Sequence, residues 1–228
     1  MAKAAQKPKA EPELVEFFDC EQGTPAWFDL RRGILTGSVF RIILREGKDG
    51  EDSKTRTDLL YSIAGERMSG ITEESFKSAA MARGHEMEPM LRNYYKRTNF
   101  DAKVEQIGFA RRTIVTPLGR KIVVGASPDA KIGPKKGLEI KTLKPTLLIP
   151  RIKTGTFPLE HLAQCQGTMM VCDWDEMVLQ LGYRGMPAPA FTIARDEAYI
   201  KRLREEIERF DWELEKLLKD LQGRGVVT

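Results

Sequence analysis

The stretch VVGASPDAKIGPKKGLEIKT, residues Val123 to Thr142, decides the fold because apolar residues alternate along it as they do in a strand. The alternation breaks at Pro128–Asp129 and resumes just before Glu139. Successive side chains of a strand point to opposite faces of a sheet, so we expect Glu139 and Lys141 on one face and their apolar neighbours on the other. The turn residues GPKK, 133–136, predict that the two runs pair as a hairpin.

The composition is typical of a soluble globular protein with one core. The chain has 228 residues, of which 41% are hydrophobic and 31% charged, and a net charge of +4 that is compatible with a nucleic-acid partner. We expect a disordered basic tail over residues 1–13 and a single domain over 14–228. No run of 18 apolar residues predicts a membrane span, and the three cysteines form no C-x-x-C motif. A reducing cytoplasm fits this pattern.

Helical patterns dominate the first hundred residues, and a mixture of strands and helices follows. A helix is expected from Pro25, with a break at Gly33 and a second helix capped by Thr36 or Ser38. Further helices are predicted over 55–70, over 73–100 with a kink or restart at Pro89, and over 159–172. Short strands are predicted within 103–112, 121–127, 129–133, 138–142, 176–184 and 190–194.

The last segment, from Asp196 to about Leu221, predicts one long amphipathic helix. Its apolar residues recur at spacings of three and four, and core packing is favoured over a coiled coil. The stripe consists of Ile200, Leu203, Ile207, Phe210, Leu214, Leu217 and Leu221. The order of elements predicts an α/β fold with a central mixed β-sheet flanked by helices on both sides.

Two carboxylates near neighbouring strand ends suggest a metal site. Asp129 and Glu139 could hold a hard cation such as Mg²⁺ through oxygen ligands, with the carbonyl of Ile140 completing the set. The ammonium group of Lys141 would then orient a water molecule or stabilise charge on a phosphate. Glu-x-Lys alone is more often the pattern of a solvated ion pair, but Ser127–Pro128–Asp129 about ten residues upstream favours a phosphodiester hydrolase.

Several segments together resemble one nuclease family. SPDAKIGPKKGLEIKT, from residue 127, resembles the PD-(D/E)xK signature of restriction-endonuclease-like nucleases. AWFDLRRGILTGS, ARGHEMEPMLRNYYKRTN and HLAQCQGTMMV resemble, in order, other motifs of the lambda-type phage exonucleases, also called YqaJ-like viral recombinases or alkaline exonucleases. The similarity runs from about Gln22 to the final helix. It implies a restriction-endonuclease-like core.

The resemblance also implies roles for individual residues. Asp129, Glu139 and Lys141 match the metal and catalytic positions, Glu88 matches a helical glutamate that joins the metal site, and Gln164 matches a glutamine near the catalytic lysine. On the residues alone, Gln164 also fits a helix-surface amide. The chain departs from the family pattern at Pro89 and at Ala130, which stands where SPDG usually has glycine.

A pocket for a 5′-phosphate is implied at Arg31, Ser38 and Ser127. An arginine fork and hydroxyl groups at a helix start suit a phosphate, although Arg31–Arg32 also fits an exposed charged pair. Trp27 is expected to be a core anchor. DNA contacts are expected from His161, which also fits a structural role. They are also expected from the basic residues around the site, which equally fit solvated turns: Lys135, Lys136, Lys144, Arg151 and Lys153.

The activity implied is Mg²⁺-dependent 5′→3′ digestion of linear double-stranded DNA to 5′-mononucleotides, with Mn²⁺ as a substitute metal, which leaves 3′ single-stranded overhangs for recombination. The implied partners are DNA ends, a single-strand annealing protein and two further copies in a ring-shaped homotrimer, in the cytoplasm of a bacterial host of a phage or prophage. Two alternatives stay open: a PD-(D/E)xK endonuclease that cuts internally, and a DNA-end-binding module that does not cleave.

Overall fold

The computed structural model describes residues 13–44, 53–72 and 79–224, the last range without the side chains of residues 79–83. Most of the predicted tail, residues 1–12, and the start of the helix predicted over 73–100 lie outside these residues. Glu13, the last residue of that tail, is described, and its carboxylate pairs with Arg112 and Arg204. No helix in the described part of the chain is long and apolar enough to cross a membrane.

The strands form two mixed sheets. One has the order β1-β4-β5-β2 and the other the order β3-β6-β7-β8-β9; among the described residues, the parallel pairs are β2–β5 and β7–β8. The strands are β1 Val15–Phe18, β2 Leu35–Thr36, β3 Val104–Glu105, β4 Phe109–Val115, β5 Lys121–Ala126, β6 Ala130–Ile132, β7 Lys136–Thr142, β8 Glu176–Gly182 and β9 Ala190–Ala194.

Helices cover both sheets. They are α1 Pro25–Arg31, α2 Phe40–Ile43, α3 Lys54–Ser69, α4 Ala79–Thr98, α5 Pro145–Thr154, α6 Leu162–Cys172 and α7 Glu197–Gln222, with 3₁₀ turns over Gly37–Val39 and Leu159–His161. The α/β class and the long C-terminal helix are therefore confirmed, and the strands divide between two sheets.

The hairpin predicted from the decisive stretch is present. β6 and β7 pair antiparallel, and the register runs from Ile132 opposite Lys136 to Ala130 opposite Leu138. Gly133 begins the turn with φ of +60°, a conformation that glycine adopts without strain. The β6–β7 pairing ends at Leu138, because β6 begins at Ala130 opposite it. The candidate site lies at this open end of the hairpin.

The two faces of β7 differ as the alternation predicts. Leu138 and Ile140 pack against Met87, Leu91 and Tyr95 of α4 in one apolar cluster. The opposite face carries Glu139 and Lys141 and lies toward α6. The sheet therefore separates an apolar layer under α4 from a polar layer under α6.

The main core lies between the four-stranded sheet and helices α2, α3, α6 and α7. Gly167 of α6 packs directly against the ring of Phe40, where a Cβ atom would lie only 2.1 Å from a ring carbon. This close approach fixes α2, and the 3₁₀ turn before it, against α6. The apolar stripe of α7 faces this core, as expected of core packing, and its buried members are Ile200, Leu203, Ile207, Phe210 and Leu214.

Some local predictions are wrong. α4 runs without interruption through Pro89, so the helix does not restart there, whereas the alternative of a kink stays a prediction. No side-chain hydrogen bond from Thr36 or Ser38 caps the helical turns that follow them. The sequence pattern also did not indicate β1 or α5.

Candidate active site

The end of the β6–β7 hairpin brings the predicted signature residues together. The Lys141 ammonium group lies 2.7 Å from Glu139 Oε1 on one face of β7. Asp129 precedes β6, and its Oδ2 accepts a 2.6 Å hydrogen bond from the backbone N–H of Ile140. The backbone N–H of Asp129 donates to the carbonyl of Leu138, so Asp129 extends the hairpin by one hydrogen bond. β6 does not pair with β7 beyond Leu138, so the backbone N–H of Ile140 is bound by the Asp129 carboxylate instead of by a neighbouring strand.

Gln164 of α6 holds the other side of Glu139. Its Nε2 donates to Glu139 Oε1 at 2.5 Å, so this oxygen receives both the amide and the Lys141 ammonium group. Glu139 is only 3% exposed, and its second oxygen, Oε2, is buried with no hydrogen-bond partner. A buried carboxylate oxygen without a partner is costly, which marks it as an atom that a ligand would satisfy.

Glu88 reaches the same site from α4, on the other side of the sheet. Its Oε1 accepts a short hydrogen bond from Arg92, one turn further along the helix. Burial raises the pKa of Asp129 well above its usual range, and the charges of Glu139 and Glu88 raise it further. Lys141 and the Ile140 N–H lower the pKa, but they do not compensate. The Asp129 carboxylate is therefore within electrostatic range of two other carboxylates and of the Lys141 ammonium group.

Lys141 stays charged in this environment. Burial lowers its pKa, but attraction to Glu139, the hydrogen bond to it and attraction to Asp129 together raise the pKa above the ordinary lysine value. Burial raises the pKa of the Cys165 thiol, and the charges of Glu139 and Lys141 also act on it. The cysteine therefore stays protonated at neutral pH and is a poor metal ligand.

The residues fit a hard divalent cation, although they are not arranged around one. In the described part of the chain, no three His, Cys, Asp or Glu side chains form a group that could hold a metal. Glu139 faces Lys141, Glu88 faces Arg92 and Asp129 faces a backbone N–H. The oxygen donors, the unpartnered Oε2 of Glu139 and the raised pKa of Asp129 are nevertheless what a cation would relieve.

A second polar pocket lies next to these carboxylates. Arg31 donates through Nη1 to Ser127 Oγ at 3.0 Å and through Nη2 to Thr36 Oγ1 at 3.2 Å. Trp27 also donates to Ser127 Oγ, at 2.9 Å, and the Arg31 guanidinium lies 4.1 Å from its ring centroid. Ser38 Oγ lies 3.4 Å from Thr36 Oγ1. The structure therefore brings all three predicted phosphate-binding residues together.

The charge in this pocket is partly desolvated. Burial lowers the pKa of Arg31 to about 10, against a small raising effect of Glu66, so the guanidinium is still charged at neutral pH. Trp27 does not belong to any of the apolar clusters, which overturns its expected role as a core anchor. Its ring instead forms a wall of the pocket.

The other predicted DNA contacts differ in their surroundings. Burial lowers the pKa of His161 to about 4, with Lys141 and the nearby arginines adding to the effect, and its Nε2 is buried without a partner. Arg151 pairs with Glu160 at 2.9 Å. Lys144 and Lys153, at the two ends of α5, are exposed. Their roles in binding DNA stay predictions.

Two of the basic residues expected to flank the site lie elsewhere. Lys135 pairs with Asp173, and Lys136 pairs with Glu176 at 2.9 Å. Lys136 begins β7, and Lys141 is five residues further along the strand, or about 17 Å away. These two lysines therefore belong to the opposite end of the hairpin.

Comparison with known proteins identifies the family. The model of the YqaJ-like viral recombinase domain matches residues 26–175, well over half of the chain. The chain belongs to this family. The matched region contains the signature residues Asp129, Glu139 and Lys141 and the pocket of Arg31 and Ser127. A search of curated proteins finds no match.

Solved structures of exonucleases are similar to this chain. The alkaline exonuclease LHK-Exo from Laribacter hongkongensis is 27% identical, with a TM-score of 0.75 over 88% of this chain and 97% of that one. The same enzyme in complex with dAMP matches equally well. A phage-related exonuclease from Haemophilus somnus 129PT shares the fold, with a TM-score of 0.60 at 13% identity over 82% of this chain and 96% of that one. The chain is thus homologous to alkaline exonucleases, which are nucleases.

Three site residues were missed from the sequence. Trp27 and Thr36 contact the atoms around Ser127 and Arg31, and Arg92 binds Glu88. Arg92 stands four residues after Glu88, a spacing that places the two side chains on one helix face, so this pair could have been found. Trp27 and Ser127 are 100 residues apart, and no local pattern connects them.

Proposed function

We propose that this protein is a divalent-metal-dependent exonuclease that digests the 5′ strand of linear double-stranded DNA from its end. The products would be 5′-mononucleotides and a 3′ single-stranded overhang. One observation carries this proposal: Ser127, which Arg31 contacts in the phosphate pocket, is only two residues before Asp129 in the connection between β5 and β6. Two residues span at most about 7 Å, so a terminal phosphate at Ser127 would place the next phosphodiester bond beside the carboxylates.

The site would use Mg²⁺, with Mn²⁺ as a substitute, held by Asp129, Glu139, the Ile140 carbonyl and Glu88. The carbonyl fits because the N–H and C=O groups of one strand residue point to the same edge, and the Ile140 N–H faces Asp129. Bound there, a divalent cation lowers the pKa of water and offsets the charge of the phosphate. Glu139 would bind through its free Oε2, and Glu88 through the carboxylate oxygen that Arg92 does not contact.

The protein's own groups perform the remaining tasks. Lys141, charged and fixed by Glu139, orients the attacking water and stabilises the charge that develops on the phosphorus oxygens. Gln164 keeps the Glu139 carboxylate in place by donating to Oε1. Arg31, Ser38 and Ser127 bind the terminal phosphate, so that the chain end is positioned one nucleotide from the reacting bond. The related LHK-Exo has been crystallised with dAMP, a mononucleotide of the proposed product class.

The wider assignment follows from the same family. We expect one nuclease domain over residues 14–228, a homotrimer that encloses duplex DNA, and action in the cytoplasm of a phage-bearing bacterium. A single-strand annealing protein is the expected partner, because it would coat the strand that digestion exposes. His161, Lys144, Arg151 and Lys153 are proposed to contact the DNA around the site.

A duplex labelled at one 5′ or 3′ end tests the proposal, in Mg²⁺ and in chelator, beside a covalently closed circle. We expect release of labelled mononucleotide at once from the 5′ label, late loss of the 3′ label, and no reaction on the circle. Nicking of the circle would favour the internally cutting endonuclease. Binding of ends without cleavage in any divalent metal would favour the end-binding module. Rapid release of the 3′ label would contradict the proposed direction.

A further inference from the structure

A second basic surface lies outside the candidate active site. A groove of about 770 Å³ runs between the α1–β2 connection, α3, β5 and α7. We call it the α7 groove and define it by Arg32, Arg67, Arg120, Trp212, Lys216 and Lys219. Neither the signature carboxylates nor Ser127 line it, so the proposed reaction leaves this surface without a role.

The charge of the groove is cationic. Six basic side chains line it, including Lys121, whereas its carboxylates are Asp211 and Glu215. Asp211, 8% exposed, lies between Arg67 and Arg120, and Glu215 pairs with Arg67 at 3.0 Å. Both carboxylates are thus held by the arginines of the floor. The lysines of α7 form the rim, where a polyanion would meet them.

An exposed aromatic ring stands in the same groove. Trp212 is 55% exposed, and the Lys216 ammonium group lies 5.2 Å from its ring centroid. Proteins that bind single-stranded nucleic acids combine exposed aromatic rings with cations, because a base stacks on the ring while the cations contact phosphates. A duplex would not offer an unstacked base to this ring.

The groove adjoins a second cavity beside α1. A neighbouring cavity of about 600 Å³ shares Arg32, Ile34 and Val123 with it and adds Asp29, which pairs with Arg32, and Arg111, which pairs with Glu16. Arg32 directly follows Arg31, whose side chain enters the phosphate pocket. The α1–β2 connection therefore has Arg31 in the phosphate pocket and Arg32 in the lining of both cavities.

We propose that the α7 groove binds single-stranded DNA by base stacking on Trp212 and phosphate contacts to Lys216, Lys219 and the neighbouring arginines. That this strand is the undigested 3′ strand rests on the proposed function, whereas binding itself does not. An acidic peptide would use the lysines equally well but would gain little from the indole ring. The exposed ring is why the observations favour a nucleic acid.

Fluorescence anisotropy of the full-length protein with a labelled 20-nucleotide oligo-dT strand tests this proposal, in chelator so that no cleavage occurs. Trp212→Ala should weaken binding on the order of tenfold with little change in salt dependence. Lys219→Glu should weaken binding and lower the slope of log K against log salt by about 0.7, the value for one lost phosphate contact on a single strand.

Lys201→Glu is the matched control, since it makes the same charge change on an exposed residue of the same helix, about 27 Å away. Equal effects of Lys201→Glu and Lys219→Glu would overturn the proposal, as would an unchanged affinity in Trp212→Ala. A polyglutamate probe that binds more tightly than oligo-dT would also overturn it, in favour of an acidic protein partner. Melting temperatures confirm that the variants fold.

The same variants separate this inference from the proposed function. Absence of metal-dependent cleavage in the unmodified protein would refute the exonuclease but leave the binding result intact. Oligo-dT binding that does not depend on the groove, together with normal cleavage, would refute only the groove.

Discussion

Replacing Arg31 by methionine should remove most of the advantage that a 5′-phosphorylated DNA end has over a 5′-hydroxyl end. Methionine keeps an unbranched side chain against the Trp27 ring but removes the positive charge and both donors. In the free protein those donors contact the hydroxyl groups of Ser127 and Thr36, at 3.0 and 3.2 Å. A terminal phosphate would replace these neutral acceptors with anionic oxygens.

The size of the effect follows from that exchange. A neutral hydrogen bond contributes about 1 kcal/mol and one to a charged group about 1.5–3 kcal/mol, so the exchange gains about 0.5–2 kcal/mol per bond. Two bonds then give about 1–4 kcal/mol. We therefore expect the preference for phosphorylated ends to fall by a factor of roughly 5 to 800 in Arg31→Met. Arg31→Lys should keep an intermediate preference, because it retains the charge without the fork.

The assay is a competition between two duplexes of different length, one with a 5′-phosphate and one with a 5′-hydroxyl end, followed in single-turnover digestion. The ratio of the two rates cancels any general loss of active protein. An equal slowing on both substrates, with the ratio unchanged, would show that Arg31 does not bind the terminal phosphate. Ser38→Ala should reduce the same ratio in the same direction by a smaller factor.

Three further predictions concern the charged groups of the site. Lys141→Met should slow single-turnover cleavage by at least about a hundredfold while gel-shift binding of DNA ends persists; undiminished cleavage would reject its role. Asp129→Asn should raise the metal-free melting temperature at pH 8 by about 2–4 °C, because a pKa raised by burial makes stability fall as pH rises, and the amide removes that loss. The same variant should lose any stabilisation by Mg²⁺, and an unchanged Mg²⁺ effect would contradict the ligand assignment. The pKa of His161, lowered to about 4, predicts stability that is complete above pH 6.5 and falls toward pH 4, by at most about 1 kcal/mol per pH unit. Urea titrations of His161→Asn should show a flatter pH profile over this window, and an identical profile would refute the assignment.

Features with a strict period could be predicted from the sequence. The alternation around Glu139 separates the two faces of β7, and the three-and-four spacing on α7 places its stripe in the core. Elements whose residues do not carry such a period were missed. β1 is only four residues long, and α5 contains Pro145 and Pro150, which indicate a loop when they are read without their neighbours. Pro145 occupies the first turn of α5, where its missing N–H costs nothing.

Tertiary packing explains why α4 does not restart at Pro89. A proline inside a helix loses one hydrogen bond, which suggested a kink or a restart. The helix nevertheless continues, because Met87, Leu91 and Tyr95 are buried together against the five-stranded sheet on either side of the proline. Several buried side chains, at about 1.5–3 kcal/mol each, outweigh a loss of about 3 kcal/mol.

The candidate site could be predicted where its residues are close in sequence or match the family motifs. Asp129, Glu139 and Lys141 lie on one hairpin, so the register alone brings them together. The contacts of Trp27 with Ser127 depend on how α1 packs against the end of β5, which no local pattern specifies. The pairing of Glu88 with Arg92 likewise shows a charge balance that motif matching alone does not reveal.

The position of a bound Mn²⁺ ion tests the central claim most directly, because manganese scatters anomalously and can replace Mg²⁺ at oxygen ligands. An anomalous difference map from crystals of the full-length protein, soaked in Mn²⁺, would locate it. We predict a peak within about 2.3 Å of carboxylate oxygens of Asp129 and Glu139, with Glu139 bound through the oxygen that is unpartnered here. A map with no peak at these two carboxylates, and with Glu139 still bound only by Lys141 and Gln164, would contradict the proposed metal-dependent exonuclease.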